Sequence, residues 1–162
     1  KKEDAVRALQ ILARKAGIYG MVGGQVVDVE MTGKSLNKEQ IDFIYRLKTG
    51  ALLEASFMVG AALAGASDDM IRVLEETGKN IGYAFQIQDD ILDVTSTTQE
   101  LGKPVHSDEK NEKNTYVTVY GMEQAKEAVE AYSEKALTFL EQLPVQSAFL
   151  NTLVYALISR KK

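Results

Sequence analysis

Apolar residues recur at three- and four-residue intervals along nearly the whole chain, and no run of strict alternation interrupts them. The pattern predicts an all-α protein. Glu3 to Ala16 predicts an amphipathic helix with Ala5, Leu9, Leu12 and Ala16 on one face, broken by Gly17. A second apolar segment, Ile18 to Glu30, holds Gly23-Gly24, a pair that suggests close backbone packing, and a turn follows at Thr32-Gly33-Lys34. Asn37 with Gln40 three residues on forms a capping-box pattern, opening one long helix from Lys38 to about Gly65 with a bend expected near Gly50 or Gly60. Ser67 to Asp69 caps the next helix, which runs to about Val94. Thr95 to Asp108 predicts a loop, Thr115 to Tyr120 a short helical turn ending at Gly121, and Met122 to Gln142 an amphipathic helix. Pro144 predicts the start of a last helix reaching Arg160.

One stretch within this pattern carries chemistry. On a helix at about 100° per residue, Gly82, Gln86, Asp89, Asp90 and Asp93 fall within an arc of roughly 100°. Ile81, Tyr83, Ala84, Phe85, Ile87, Ile91, Leu92 and Val94 cover most of the remainder, so the helix reads as mostly buried with one acidic stripe. Asp89 and Asp93 stand at i and i+4, where like charges repel unless a cation lies between them. A solvated acidic face is the alternative, but this one mixes in no Lys or Arg. Mg²⁺ suits the pattern better than Ca²⁺, because it takes one or two carboxylates and completes its shell with water and phosphate.

Composition narrows the rest. At 162 residues, 45% apolar and 26% charged, the chain fits one soluble domain. A net charge of −4 leaves no basic stripe for nucleic acid. The chain lacks cysteine, which removes disulfides and thiolate metal sites and makes a reducing, cytoplasmic setting the expectation. The longest apolar stretch, Ala55 to Ala66, is too short to span a bilayer, so no membrane partner is expected. With His106 as the lone histidine, neither a zinc site nor a Ser-His-Asp triad can be assembled, and no strand-to-helix Gly-rich phosphate loop is present.

Lys48-Thr49 on one helix, Gln86-x-x-Asp89-Asp90-x-x-Asp93 on the next and Gly102-Lys103 just beyond it resemble the C-terminal half of a trans-type polyprenyl diphosphate synthase, the farnesyl and geranylgeranyl diphosphate synthase family. The likeness runs from Gly24-Gln25 to the basic end Arg160-Lys161-Lys162. It implies a helical bundle of the isoprenoid synthase type and Mg²⁺-dependent condensation of an allylic diphosphate with isopentenyl diphosphate, in a cytoplasmic homodimer. Residue by residue, it implies that Asp89 binds one Mg²⁺, with Asp90 and Asp93 assisting directly or through water. It implies that Lys48, Lys103 and Lys113 hold the allylic diphosphate. Thr49 and Gln86 would lie beside the reacting carbons, and Arg160 with the two lysines after it would help hold the homoallylic diphosphate. Apolar side chains such as Phe57, Met58 and Phe85 would house the prenyl tail.

The family pattern has two aspartate-rich motifs, and this chain carries one; Asp68-Asp69 lacks a third acid at the right spacing. Residues 1–162 are therefore read as the C-terminal half of a single domain, a fragment inactive alone, whose N-terminal half with the first motif would precede Lys1. Apolar helix faces left uncovered are the structural expectation. Two alternatives remain beside it: a terpene cyclase of related fold, and a non-catalytic helical regulatory subunit of a prenyl synthase.

Overall fold

The computed structural model describes residues 1–96 and 114–158, and among them every regular element is helical. Most of the predicted loop after Val94, with Lys103, His106 and Lys113, lies outside the described residues, as do Arg160, Lys161 and Lys162. Helix α1 spans Lys2–Ala16, with Glu3 and Asp4 in its first turn and Arg14 and Lys15 in its last, each sign complementing the helix dipole. Helix α2 (Met21–Glu30) follows, and Gly33 closes the turn after it at φ 73°. Helix α3 (Lys38–Ile44) opens on the expected capping box: the Gln40 amide donates to Asn37 Oδ1 at 2.9 Å and the Asn37 amide to Gln40 Oε1 at 3.0 Å.

The long helix predicted to Gly65 is present but not uniform. At Tyr45–Gly50 it widens into a π-helical turn before continuing as α4 (Ala51–Leu63). The irregularity thus ends at Gly50, while Gly60 sits in open space within a regular helix. Ser67 caps α5 (Asp68–Thr95), a helix of 28 residues and roughly 42 Å that forms the central post. It packs against α4, the π turn and three later helices: α6 (Tyr116–Tyr120), α7 (Met122–Glu141) and α8 (Ala148–Ile158). The last helix starts four residues after Pro144, not at it. Gln146 Nε2 donates to the Leu143 carbonyl at 3.0 Å, and the Leu150 amide donates to Ser147 Oγ at 3.2 Å, so side chains occupy the turn and set the later start.

Three apolar clusters hold these helices. Ile41, Ile44 and Tyr45 meet Tyr83, Ile87 and Ile91 on one side of α5; Ile81 and Ala84 meet Ala136, Leu140 and Val154 on another; Ala8 of α1 meets Met58, Ala61, Ala62 and Ile71. The face of α1 read as one apolar stripe is turned outward, with Leu9 66% exposed. The packed side carries Ala8 and Ile11, and Lys15 at its end bonds Glu54 and Glu75. Ile18, Tyr19, Val26 and Val29 on and before α2 are exposed as well. Apolar faces of α1 and α2 are uncovered, as expected. Among the described residues no helix is long and apolar enough to cross a membrane.

Candidate functional site

The site is made where α5 lies along the π turn. Gly82 faces Gly50 so closely that a Cβ on Gly82 would sit 2.7 Å from the Gly50 Cα. One turn further, Thr49 Oγ1 donates to Gln86 Oε1 at 2.8 Å. Another turn on, the buried Tyr45 hydroxyl donates to Asp90 Oδ2. Glycine at both positions of the first contact lets the backbones approach, and that approach brings the polar rungs within bonding range. π-helical turns redirect side chains and recur at functional sites; this one carries Tyr45, Lys48 and Thr49.

Helix α2 supplies the third wall. A Cβ on Gly24 would fall 2.4 Å from the Lys48 backbone nitrogen, so α2 rests directly on the π turn, as the Gly23-Gly24 pair suggested. One turn beyond Gly24, Asp28 receives Lys48 Nζ at 2.6 Å. A cavity of about 50 Å³ lies between these walls, lined by Asp28, Lys48, Gln86, Asp90, Asn114 and Thr115. A larger space of about 570 Å³ lies elsewhere, bounded by Lys15, Arg46, Glu54 and Glu75; Met58, expected beside the prenyl tail, lines it, whereas Lys48, Thr49, Gln86 and the α5 aspartates do not.

Of the aspartates, Asp90 and Asp93 are both 3% exposed, and Asp89 is half-buried. The Asp90 Oδ2 also accepts the Tyr116 backbone amide at 2.7 Å, at the start of α6. Burial pushes the Tyr116 phenol up to about 12, so it stays protonated at neutral pH. Among the described residues no three acids converge into a ready cage. What α5 offers is a set of hard oxygen donors on adjacent turns, and Mg²⁺ fits such a set when water and phosphate complete the octahedron.

Lys48, Thr49, Gln86 and Asp90 are thus brought together, with Asp89 and Asp93 on the same helix. Lys103, Lys113 and Arg160 lie outside the described residues. Of the apolar residues expected to house the prenyl tail, Phe57 packs on the cluster around Ile81 and Ala84, Met58 packs against Ala8 and Ala62, and Phe85 is half-buried on α5. Adjacent residues on a helix point about 100° apart, which is why Phe57 and Met58 separate. Asp28 and Tyr45 were not singled out in the sequence. No spacing signals either one; each acquires a role only when a second helix is laid against its own.

Solved structures similar to this fold are isoprenyl diphosphate synthases. A crystal structure of geranyltransferase from Helicobacter pylori complexed with magnesium and isoprenyl diphosphate superposes with a TM-score of 0.81 at 32% identity, covering 98% of this chain and 52% of that one. Farnesyl diphosphate synthase of Geobacillus stearothermophilus is 40% identical over 145 residues, 90% of this chain and 49% of the relative. Farnesyl diphosphate synthase of Escherichia coli (strain K12) is 38% identical over 163 residues, 98% of this chain and 54% of the relative. The polyprenyl synthetase family model matches residues 1–144, and the chain belongs to that family. It spans about half the length of these relatives.

Proposed function

We propose that this chain is the C-terminal half of a magnesium-dependent prenyltransferase that condenses an allylic diphosphate with isopentenyl diphosphate. The observation that carries the reading is the register of α5 on the π turn, which sets Lys48, Thr49 and Gln86 beside the aspartate face. Asp89 would hold Mg²⁺, with Asp90 and Asp93 assisting. Lys48, Lys103 and Lys113 would bind the allylic diphosphate, and Arg160 the homoallylic one. Bound Mg²⁺ would supply neutralisation of the charge that builds on the departing diphosphate.

The chain's own residues would do the rest. The Lys48 ammonium, poised against Asp28, would turn to the diphosphate and stabilise it as the allylic carbon–oxygen bond breaks. Thr49 and Gln86 present oxygen dipoles toward the carbon that becomes cationic. The double bond of isopentenyl diphosphate then forms the new carbon–carbon bond, and a proton leaves to regenerate an alkene. Apolar walls exclude the water that would quench the cation.

Catalysis would need the N-terminal half of the fold, which would bring the first aspartate-rich motif and cover Leu9, Ile18 and Val26; a homodimer of the completed unit is part of the proposal. The fragment alone would be inactive. The test is to combine the chain with a polypeptide supplying the other half and add Mg²⁺, isopentenyl diphosphate and dimethylallyl or geranyl diphosphate. Chain-elongated prenyl diphosphates are expected, lost on Asp89→Ala. Activity indifferent to that substitution would favour a regulatory subunit, and hydrocarbon products a cyclase.

A further inference from the structure

We propose that Tyr45 is a positioning residue for Asp90, fixing its carboxylate within the metal seat and locking the start of α6 to it. Tyr45 is 7% exposed, and its ring is packed with Ile41, Ile44, Ile87 and Ile91. A phenol so clamped has a fixed hydroxyl position, unlike a long flexible side chain. That hydroxyl donates to Asp90 Oδ2 and accepts the Tyr116 amide at 3.0 Å, while the same amide lies 2.7 Å from Oδ2. Three elements, the π turn, α5 and α6, therefore close one hydrogen-bonded triangle.

The arrangement gives Oδ2 two donors and fixes the plane of the carboxylate. Outer-shell partners of this kind set the orientation of metal-binding carboxylates, and losing one typically lowers metal affinity by about 10- to 100-fold. Tyr45 touches neither the substrate nor the metal in this scheme; it acts through Asp90. The inference rests on the reading of the α5 aspartates as a magnesium seat, but the triangle itself is a separate, measurable object.

The experiment uses the chain assembled with the polypeptide that completes its fold, comparing Tyr45→Phe, Asp90→Asn and the double variant with the parent. Tyr45→Phe keeps the ring and so keeps the core cluster. Two quantities are read: calorimetric binding of Mg²⁺ in the presence of inorganic pyrophosphate, and NMR hydrogen exchange of the Tyr116 amide. Tyr45→Phe is expected to weaken binding about tenfold and to speed Tyr116 exchange about tenfold. In the Asp90→Asn background both effects should largely vanish, because the residue through which Tyr45 acts is already altered. Additive effects of the two substitutions, or unchanged metal binding in Tyr45→Phe, would overturn the proposal. Absence of Mg²⁺–pyrophosphate binding by the parent would instead overturn the magnesium reading, while the exchange cycle still decides whether Tyr45 and Asp90 are coupled.

Discussion

The Thr49 hydroxyl donates to the side-chain oxygen of Gln86 at 2.8 Å, tying the turn that carries Lys48 to the helix that carries the aspartates. The bond spans 37 positions of sequence and is partly buried, so it reports directly on how the π turn and α5 are registered. Thr49→Val keeps the shape and removes the donor, leaving the Gln86 oxygen without it. A loss of about 1 kcal/mol is expected in denaturant unfolding. A cycle with Gln86→Leu should show coupling of about 0.5–1.5 kcal/mol; strictly additive values would mean the bond contributes nothing.

Gly82→Ala tests the close approach that makes this register possible. Its new methyl would meet the Gly50 Cα at 2.7 Å, backbone rather than a yielding side chain. Ala has the better helix propensity, by about 1 kcal/mol. Overpacking against a fixed backbone is expected to outweigh that gain and destabilise by about 1–3 kcal/mol. The same substitution at Gly60, where nothing lies within 4 Å, should stabilise instead. Unfolding midpoints of the two variants therefore move in opposite directions.

How much of this could be read in advance depends on how local each signal is. The capping box at Asn37 and Gln40, the Ser67 cap and the polar stripe of α5 involve residues within a turn or two, and all were legible. The buried side of α1 was not. Ala5, Leu9 and Leu12 form as good an apolar stripe as Ala8 and Ile11, and only the position of α4 decides between them. The π turn requires a change of hydrogen-bond register that no residue type dictates. Asp28 and Tyr45 illustrate the same limit within the site, since Lys48 and Asp90 reach them only across helix interfaces.

Alkaline pH should loosen the cluster around Tyr83. Its hydroxyl donates to the Asp42 carbonyl at 3.1 Å, and its ring stacks on Tyr132 with centroids 4.8 Å apart. Burial first, then the neighbouring Tyr132, pushes this phenol up to about 12, against 10.0 for an ordinary tyrosine. A folded value above the unfolded one gives a contribution fully present below pH 10 that is lost as pH rises through 12. Stability should therefore fall across that window, by on the order of 2 kcal/mol from this group. Tyr83→Phe is expected to flatten the decline at the expense of the Asp42 bond, as read from denaturation midpoints at successive pH values.

The sharpest stability effect is expected at Lys15, whose ammonium bonds both Glu54 and Glu75. Two carboxylates share one cation, and Glu54 is 6% exposed. Burial holds Glu54 above the usual carboxylate range despite the ammonium beside it, whereas for Lys15 the bonds to the two glutamates outweigh burial and raise it. Lys15→Met would strip Glu54 of its principal counter-charge, and breaking a buried pair from one side costs about 3–5 kcal/mol. The sign of the pH dependence follows from Glu54: a raised folded value means its contribution is most favourable below the ordinary 4.5 and is lost as pH rises through the folded value. The Lys15→Met penalty should therefore be largest at neutral pH and shrink as the buffer approaches pH 4.5, where Glu54 can take up a proton. Adding Glu54→Leu to Lys15→Met should recover most of the loss at neutral pH, because no buried charge is then left alone. A double variant as unstable as Lys15→Met would instead locate the loss in packing between α1 and α4.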